Sequence, residues 1–134
     1  MRVAVCIDDF GGMTFNSRRQ SRDRELTADL VREAGEGKLR ISPFSADLFE
    51  ADAVAVSADF LAEAAEAELC FLEDQPLSPY LDRVNELILY RWNRRYPRDL
   101  LFDVDPAATG LRLVEQTEFR GYSHEKITKE RYTR

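Results

Sequence analysis

A short basic stretch, which we call the arginine segment (Arg18–Arg24), carries the residues best suited to chemistry. It places four guanidinium groups within seven residues of a chain whose net charge is -6: Arg18, Arg19, Arg22 and Arg24. Asn16 precedes the segment, a glycine-containing loop lies before it, and a predicted helix begins within it. Guanidinium forks bind phosphate and carboxylate groups, and the amino end of a helix adds partial positive charge. We therefore expect a local site for a small anionic or nucleotide-like ligand.

Acidic residues next to this segment allow more than one interpretation. Asp8 and Asp9 follow the apolar run Val3–Ile7 and precede two glycines, Gly11 and Gly12. Carboxylates at the carboxyl end of a central strand can bind a ligand or a metal, but aspartate beside glycine is also common in turns. We favour the turn and keep both residues as ligand-binding candidates. The arginines could equally be solvated, or pair with acidic neighbours in weak surface ion pairs.

Histidine and cysteine are too few for a usual zinc site. The chain has one histidine and two cysteines, and Cys6 and Cys70 do not form a CxxC pair. Structural zinc needs about four such ligands, so no metal site is expected. His124 has no serine or cysteine beside it in a catalytic pattern, and we predict a surface or sheet-edge histidine. The two cysteines lie in apolar runs and are predicted to be free thiols.

A second basic cluster covers Arg91–Arg98 and includes Trp92 and Tyr96. Arginines interleaved with aromatic rings can bind single-stranded nucleic acid. Alternation along a strand explains half of the pattern, so an ordinary sheet edge with Trp92 packed inward is the favoured interpretation.

Length and composition predict one globular domain, residues 1–134. Hydrophobic residues make up 44% and charged residues 33% of the 134 positions, as in folded proteins. The net charge of -6 argues against general binding to duplex nucleic acid. The first apolar run is too short for a signal peptide or a membrane span, so we expect a cytoplasmic protein that does not bind membranes. The oligomeric state stays open.

Short strands and helices alternate along the first two thirds of the chain, which predicts parallel strands joined by right-handed crossovers. The last third alternates apolar with polar residues and predicts an antiparallel hairpin. The predicted strands are Val3–Ile7, Leu39–Ile41, Ala53–Val56, Leu69–Leu72, Glu86–Trp92, Leu111–Phe119 and Glu125–Tyr132. The predicted helices are one capped by Ser21 and stopped by Gly35 and Gly37, and shorter ones at Ser45–Phe49, Ala58–Ala67 and Ser78–Val84.

This order of elements and several local strings resemble a shortened, divergent dihydrofolate reductase. The strings that resemble the family are Val5–Asp8 with Gly12-Met13, Gly37–Ile41, Val84–Tyr90, Tyr96–Phe102, Leu111–Val114 with Glu118, and Tyr122 with Glu130–Tyr132. The resemblance implies an α/β fold with three αβα layers and a mixed sheet, mostly parallel, with a C-terminal antiparallel hairpin. It also implies that Asp23, early in the first helix, could match the pteridine-binding acid, which makes Asp23 a weak catalytic candidate.

Several departures from the family pattern affect the implied cofactor. Where the family has a glycine pair for the cofactor pyrophosphate, this chain has Glu73-Asp74, and two carboxylates repel phosphate. The string that would meet the cofactor phosphates is replaced by Ile41–Ser45, with Pro43 inside it and only Ser45 of similar chemistry. Too few residues separate Phe49 from Leu69 for the full cofactor half of the sheet. We therefore expect no NADPH in the usual mode, and no other cofactor.

Three functions follow from these observations. The favoured one is a domain without reductase activity that binds a small anionic ligand through Asp8, Asp9, Asn16, Arg18, Arg19, Arg22 and Asp23. The alternatives are an active NADPH-dependent pterin reductase using Asp23, and a protein-interaction module whose arginine segment docks on an acidic partner. Small uncharacterised bacterial proteins resembling this chain are sometimes labelled ribonuclease Z. That enzyme needs a histidine-rich dimetal motif, and this chain has one histidine.

Overall fold

A computed structural model describes all residues, 1–134. Its centre is a seven-stranded sheet with the order β5-β4-β6-β1-β7-β10-β9. The pairs among β5, β4, β6, β1 and β7 are parallel, whereas β10 pairs antiparallel with both β7 and β9. The strands, in chain order, are β1 (Arg2–Ile7), β2 (Gly12–Phe15), β3 (Arg18–Arg19), β4 (Leu39–Ile41), β5 (Val54–Val56), β6 (Leu69–Leu72), β7 (Glu86–Arg91), β8 (Leu100–Leu101), β9 (Arg112–Phe119) and β10 (Ile127–Thr133).

Helices and 3-10 turns cover both faces of this sheet. The α-helices are α1 (Arg24–Ala34) and α2 (Phe60–Glu63), and the 3-10 helices are Pro43–Leu48, Ala51–Ala53, Ser78–Arg83 and Pro106–Ala108. No helix combines the length and apolar character needed to span a membrane. The predicted three-layer arrangement, parallel strands followed by an antiparallel hairpin, is confirmed.

The alternation of side chains in β1 divides the core into two clusters. Val3 and Val5 join one cluster, which packs under α2 and the 3-10 helix Ser78–Arg83. Ala4 joins the other, which packs under α1. Successive residues of a strand point to opposite faces, so a strand buried on both faces must be apolar throughout. This explains why β1 and β6 are continuous apolar runs in the sequence.

The first helix begins later than predicted. Its N-cap is Asp23, with φ -153° and ψ 123°, and the carboxylate accepts a hydrogen bond from the Glu25 N–H at 2.9 Å. The prediction of Ser21 as the cap was wrong, because the Ser21 hydroxyl contacts His124 instead. The helix stops at Gly35, as predicted, where φ is 67°.

Three other predicted helices are shorter or of a different type. The alanine-rich stretch 58–67 forms only the four residues of α2, and Ala64 is extended with φ -66° and ψ 135°. The Glu68 carboxylate accepts the Ala65 N–H at 2.8 Å, so the chain turns into β6 instead of continuing the helix. The helices predicted at 45–49 and 78–84 are the 3-10 helices Pro43–Leu48 and Ser78–Arg83. Tertiary contacts outweigh alanine's helix propensity in so short a connection.

A small second sheet, β3-β2-β8, was not predicted. Its β2–β3 hairpin turns at Asn16 and Ser17, whose φ angles are 53° and 61°. Two consecutive positive φ angles fit the twist of a two-residue hairpin. The sequence predicts a loop here, because the turn lacks the glycine that usually marks such a hairpin.

Candidate functional site

The β2–β3 hairpin places Arg18 and Arg19 in different surroundings. Arg18 is exposed and its guanidinium forms no ion pair, whereas the Arg19 side chain is largely buried. The Arg19 guanidinium lies 5.1 Å from the centroid of the Phe44 ring. Residues paired across a hairpin alternate between its faces, which explains why two adjacent arginines diverge.

Arg19 forms the densest set of polar contacts among the four arginines of the segment. It donates to Glu73 through Nε and Nη2, to Asp47 through Nη1 and Nη2, each at 3.0 Å, and to the Phe44 carbonyl at 3.1 Å. Burial opposes its charge, but the hydrogen bonds to Glu73 and Asp47 outweigh this and raise the pKa of Arg19. The Ser45 hydroxyl donates to Glu73 at 2.7 Å. Arg19 therefore connects the hairpin to the end of β6 and to the 3-10 helix Pro43–Leu48.

An open cavity, which we call the arginine groove, lies along this contact. Its volume is about 660 Å³, within the usual size of small-ligand sites. Its charged lining consists of Arg18, the partnered Arg19 and Asp47, beside an apolar wall of Phe44 and its neighbours. The residues lining it are Ser17, Arg18, Arg19, Pro43, Phe44, Ala46 and Asp47. A smaller cavity of about 420 Å³ shares Ser17 and Phe44 with it.

A second groove, which we call the helix groove, lies between α1 and the turns that follow β4. Its volume is about 560 Å³. Arg22 and Arg24 stand at its rim, while Asp47, Glu50 and Asp52 also line it. The carboxylates outnumber the guanidinium groups, so its charge is less suited to an anion than that of the arginine groove. Its apolar lining is Ala28, Val31, Leu48, Phe49 and Ala53.

Asp8 and Asp9 occupy different environments. Asp8 is buried, and its Oδ1 accepts the N–H groups of Phe10 at 2.9 Å and Gly12 at 2.8 Å. Its Oδ2 accepts Gln20 Nε2 and the Tyr96 N–H, each at 3.2 Å. Burial raises the pKa of Asp8, but these backbone hydrogen bonds outweigh it and lower the pKa overall. Asp8 therefore organises the turn after β1, and both of its carboxylate oxygens already accept hydrogen bonds.

Asp9 is exposed and does not share the Asp8 environment. No group of three or more histidine, cysteine or acidic residues is arranged to hold a metal ion. The Asn16 backbone N–H donates to Asp99 at 3.0 Å, at the exposed end of the β2–β3 hairpin. Of the candidate ligand-binding residues, the hairpin thus brings Asn16, Arg18 and Arg19 together at one place.

Asp23 and His124 form a buried pair that sequence analysis missed. Only 4% of His124 and 3% of Asp23 is exposed, so the prediction of a surface or edge histidine was wrong. His124 Nδ1 lies 2.9 Å from Asp23 Oδ2, and its Nε2 lies 3.1 Å from the Ser21 hydroxyl and 2.9 Å from the Tyr96 hydroxyl. The ring stacks on Trp92 with centroids 4.6 Å apart. The partners lie about 100 positions apart, so no local sequence pattern signals them.

Both oxygens of Asp23 are engaged inside the protein. Oδ1 accepts the N–H groups of Tyr122 at 2.8 Å and Glu25 at 2.9 Å, and Oδ2 accepts Ser123 N–H at 2.9 Å besides His124. Burial raises the pKa of Asp23, but hydrogen bonds from Tyr122, His124 and Ser123 outweigh it and hold the pKa well below its usual range. Asp23 therefore fastens the turn between β9 and β10 to the start of α1.

The basic cluster of residues 91–98 has exposed arginines around a buried tryptophan. Trp92 is buried at 5% exposure, which confirms its inward packing. The Arg98 guanidinium lies 4.1 Å from the centroid of the exposed Phe10 ring, and Arg95 lies 5.8 Å from it. These contacts are cation–π pairs at an exposed site, each of about 0.5–1 kcal/mol.

Comparison with solved structures identifies the architecture. Dihydrofolate reductase from Enterococcus faecalis, solved in complex with NADP(H) and RAB-propyl, matches with a TM-score of 0.67 and 11% sequence identity. The match covers 100% of this chain and 96% of that chain. The chain has a dihydrofolate reductase-like fold. No family model and no curated protein sequence matches it, so the likeness lies in the structure.

The solved dihydrofolate reductase holds NADP(H), and in this chain two carboxylates, Glu73 and Asp74, follow β6. Glu73 is held by Arg19 and Ser45, and only 9% of its side chain is exposed. Burial raises the pKa of Asp74, and its Oδ1 is buried without a hydrogen-bond partner. A pyrophosphate there would meet two carboxylates instead of free backbone N–H groups. This end of the sheet is closed by an internal ion pair.

Proposed function

We propose that this domain binds a small anionic or nucleotide-like ligand in the arginine groove and does not work as a dihydrofolate reductase. The observation that carries the proposal is the unpaired guanidinium of Arg18, which lies beside a fixed Arg19 and the Phe44 ring. An arginine without an internal partner keeps all of its donors for a ligand. The neighbouring ring offers a face for a planar group.

The fixed contacts of Arg19 support this assignment. Because Glu73 and Asp47 hold Arg19, the wall of the groove keeps its shape before a ligand arrives. A preformed site avoids part of the ordering cost of binding. Arg22 is 65% exposed at its side chain and lies 4.0 Å from Asp47, so it can reach the same ligand from the other side of Asp47.

The contacts of Asp8, Asp23 and Glu73 support the second half of the proposal. Asp8 and Asp23 already accept hydrogen bonds on both oxygens, so neither of these carboxylates is free for a pterin ring. The ion pair between Glu73 and Arg19 lies where the cofactor pyrophosphate would be expected. The ligand-binding role is therefore assigned to Arg18, with Asn16, Arg19 and Arg22 around it.

Thermal denaturation with AMP, adenosine and inorganic phosphate tests the ligand. We expect AMP to stabilise the protein by about 1.4 kcal/mol at ten times its dissociation constant, and adenosine to have less effect. Arg18→Ala should weaken AMP binding about tenfold, the value of one charge-assisted contact. Arg95→Ala removes an exposed arginine elsewhere and should leave AMP binding unchanged.

Two results would overturn the proposal. The first is the absence of stabilisation by any of the three probes at millimolar concentration. The second is oxidation of NADPH with dihydrofolate, followed by absorbance, by the purified protein. If inorganic phosphate stabilised the protein as much as AMP does, the groove would be an anion site that does not recognise the nucleoside part of the ligand.

A further inference from the structure

We propose that Ser21, His124 and Asp23 form a catalytic relay in which the Ser21 hydroxyl attacks small anionic esters. The Ser21 Oγ lies 3.1 Å from His124 Nε2, and His124 Nδ1 lies 2.9 Å from Asp23 Oδ2. A nucleophile in contact with a base, and a base oriented by a carboxylate, is the arrangement that activates a serine. The proposal is independent of the arginine groove.

The hydrogen bonds around Asp23 assign the tautomer of His124. The carboxylate accepts three backbone N–H groups, those of Tyr122, Ser123 and Glu25, so it is ionised and only accepts. The proton of neutral His124 therefore sits on Nδ1, facing Asp23. Nε2 is left with a lone pair toward Ser21, as a general base requires.

The packing around His124 fixes the ring in this orientation. Trp92 stacks on it with an interplanar angle of 28°. Gly121 lets the turn before β10 approach closely, since a Cβ there would lie 2.5 Å from Asp23 Oδ2. His124 and Asp23 are buried, whereas Ser21 is partly exposed. The base and the carboxylate are thus shielded while the nucleophile remains accessible.

Tyr96 shares the lone pair of Nε2. Its hydroxyl lies 2.9 Å from Nε2, closer than Ser21. A ring nitrogen accepts one hydrogen bond well, so the two hydroxyl groups compete. Removal of the Tyr96 hydroxyl should therefore favour the Ser21 contact, which provides a test that a purely structural network would not pass.

The charges near Ser21 select the class of substrate. Arg22 and Arg24 follow it in sequence and are exposed, at the amino end of α1. Arg94 is exposed on the other side and donates to the Ser123 carbonyl at 3.5 Å. The Arg24 guanidinium lies 3.7 Å from the centroid of the Tyr122 ring. Exposed guanidinium groups on this side of the protein favour an ester that carries a carboxylate or phosphate.

The reaction is hydrolysis with water as the second reactant. The Ser21 oxygen bonds to the ester carbonyl carbon while its proton moves to His124 Nε2. The carbon–oxygen bond of the ester breaks, and the leaving alcohol takes the proton from Nε2. Water then attacks the acyl-serine, again giving a proton to His124, and the acid leaves as Ser21 recovers its proton. Asp23 stays ionised and stabilises the imidazolium in both steps.

Labelling with diisopropyl fluorophosphate, read by intact-protein and peptide mass spectrometry, tests the relay. We expect one adduct, on Ser21, formed about 100-fold faster than on the exposed Ser78, which matches the usual contribution of a general base. Ser21→Ala should abolish the adduct, and Ser78→Ala should leave it unchanged. Tyr96→Phe should accelerate its formation, because the Ser21 hydroxyl then no longer competes for Nε2.

Two further readouts separate a relay from a structural cluster. His124→Asn should lower the labelling rate of Ser21 about 100-fold, because it removes the general base, while circular dichroism reports whether the variant folds. Hydrolysis of 4-nitrophenyl succinate should exceed that of 4-nitrophenyl acetate. The absence of an adduct in the folded wild-type protein, or an adduct that persists in Ser21→Ala, would overturn the proposal.

Discussion

Replacement of Asp23 by asparagine should destabilise the protein far more than an isosteric change usually does. The amide oxygen of Asp23→Asn can keep the N–H groups of Tyr122 and Glu25, which lie 2.8 and 2.9 Å from Oδ1. The amide NH₂ then occupies the position of Oδ2, where it faces the Ser123 N–H and His124 Nδ1, each at 2.9 Å. Donor meets donor at both contacts.

The magnitude follows from these two contacts. A buried donor that loses its acceptor costs about 1–3 kcal/mol, and His124 can relieve one clash by moving its proton to Nε2. We therefore expect a loss of about 2–4 kcal/mol in the free energy of unfolding. For a domain of this size the melting temperature should fall by about 4 °C per kcal/mol.

Urea denaturation of the wild type and Asp23→Asn measures this loss directly. Asp9→Asn is the matched control, because Asp9 is exposed and such surface changes stay within about 0.5 kcal/mol. If the free energy of unfolding of Asp23→Asn were within about 0.5 kcal/mol of the wild-type value, as expected for the control, the Asp23 carboxylate would not organise the β9–β10 turn.

Three further predictions concern other parts of the fold. Gly121→Ala should cost about 1–3 kcal/mol in urea denaturation, because its Cβ would lie 2.5 Å from Asp23 Oδ2, whereas Gly37→Ala, whose nearest neighbour is at 3.7 Å, should be neutral. Leu30→Ala removes a side chain with 0% exposure and should cost about 2–5 kcal/mol, while Val31→Ala on the exposed side of α1 should cost much less. Glu33 should contribute to acid sensitivity: burial raises its pKa, but hydrogen bonds from Arg131 and Lys129 outweigh it and lower the pKa from 4.5 to about 2. Its stabilisation, about 3 kcal/mol by linkage, is present above pH 4.5 and lost as pH falls toward 2, so Glu33→Gln should flatten the dependence of unfolding free energy on pH across that window.

The central sheet could be predicted because its signal is local. β1 and β6 are short apolar runs that end in turn residues, and Gly35 stops α1 where the sequence indicates. The length of α2 could not be predicted, because Glu68 ends it through a contact formed only after the chain has turned. Propensity describes a segment alone, whereas the boundary depends on its partners.

In the candidate site, too, the sequence signals the local features and not those that depend on distant partners. The arginine segment was evident from composition, since four guanidinium groups stand out in an acidic chain. Which of them is free was not evident, because the partners of Arg19 are Glu73 and Asp47, distant in sequence and not among the acidic residues nearest to it. His124 gave no signal at all, since its neighbours come from two stretches far from it in sequence, residues 21–23 and 92–96.

The position of β1 in the sheet bears on how quickly the protein reaches its native state. Arg2 pairs with Leu69 on one side and with Glu86 on the other. The strand at the centre of the sheet therefore forms its hydrogen bonds only when segments far along the chain have reached it. Closing such long loops costs chain entropy before any of the pairing stabilises the structure. Folding should accordingly be slower than in helical proteins of equal length, and a partly folded chain would expose the apolar edge of β1 until β6 and β7 arrive.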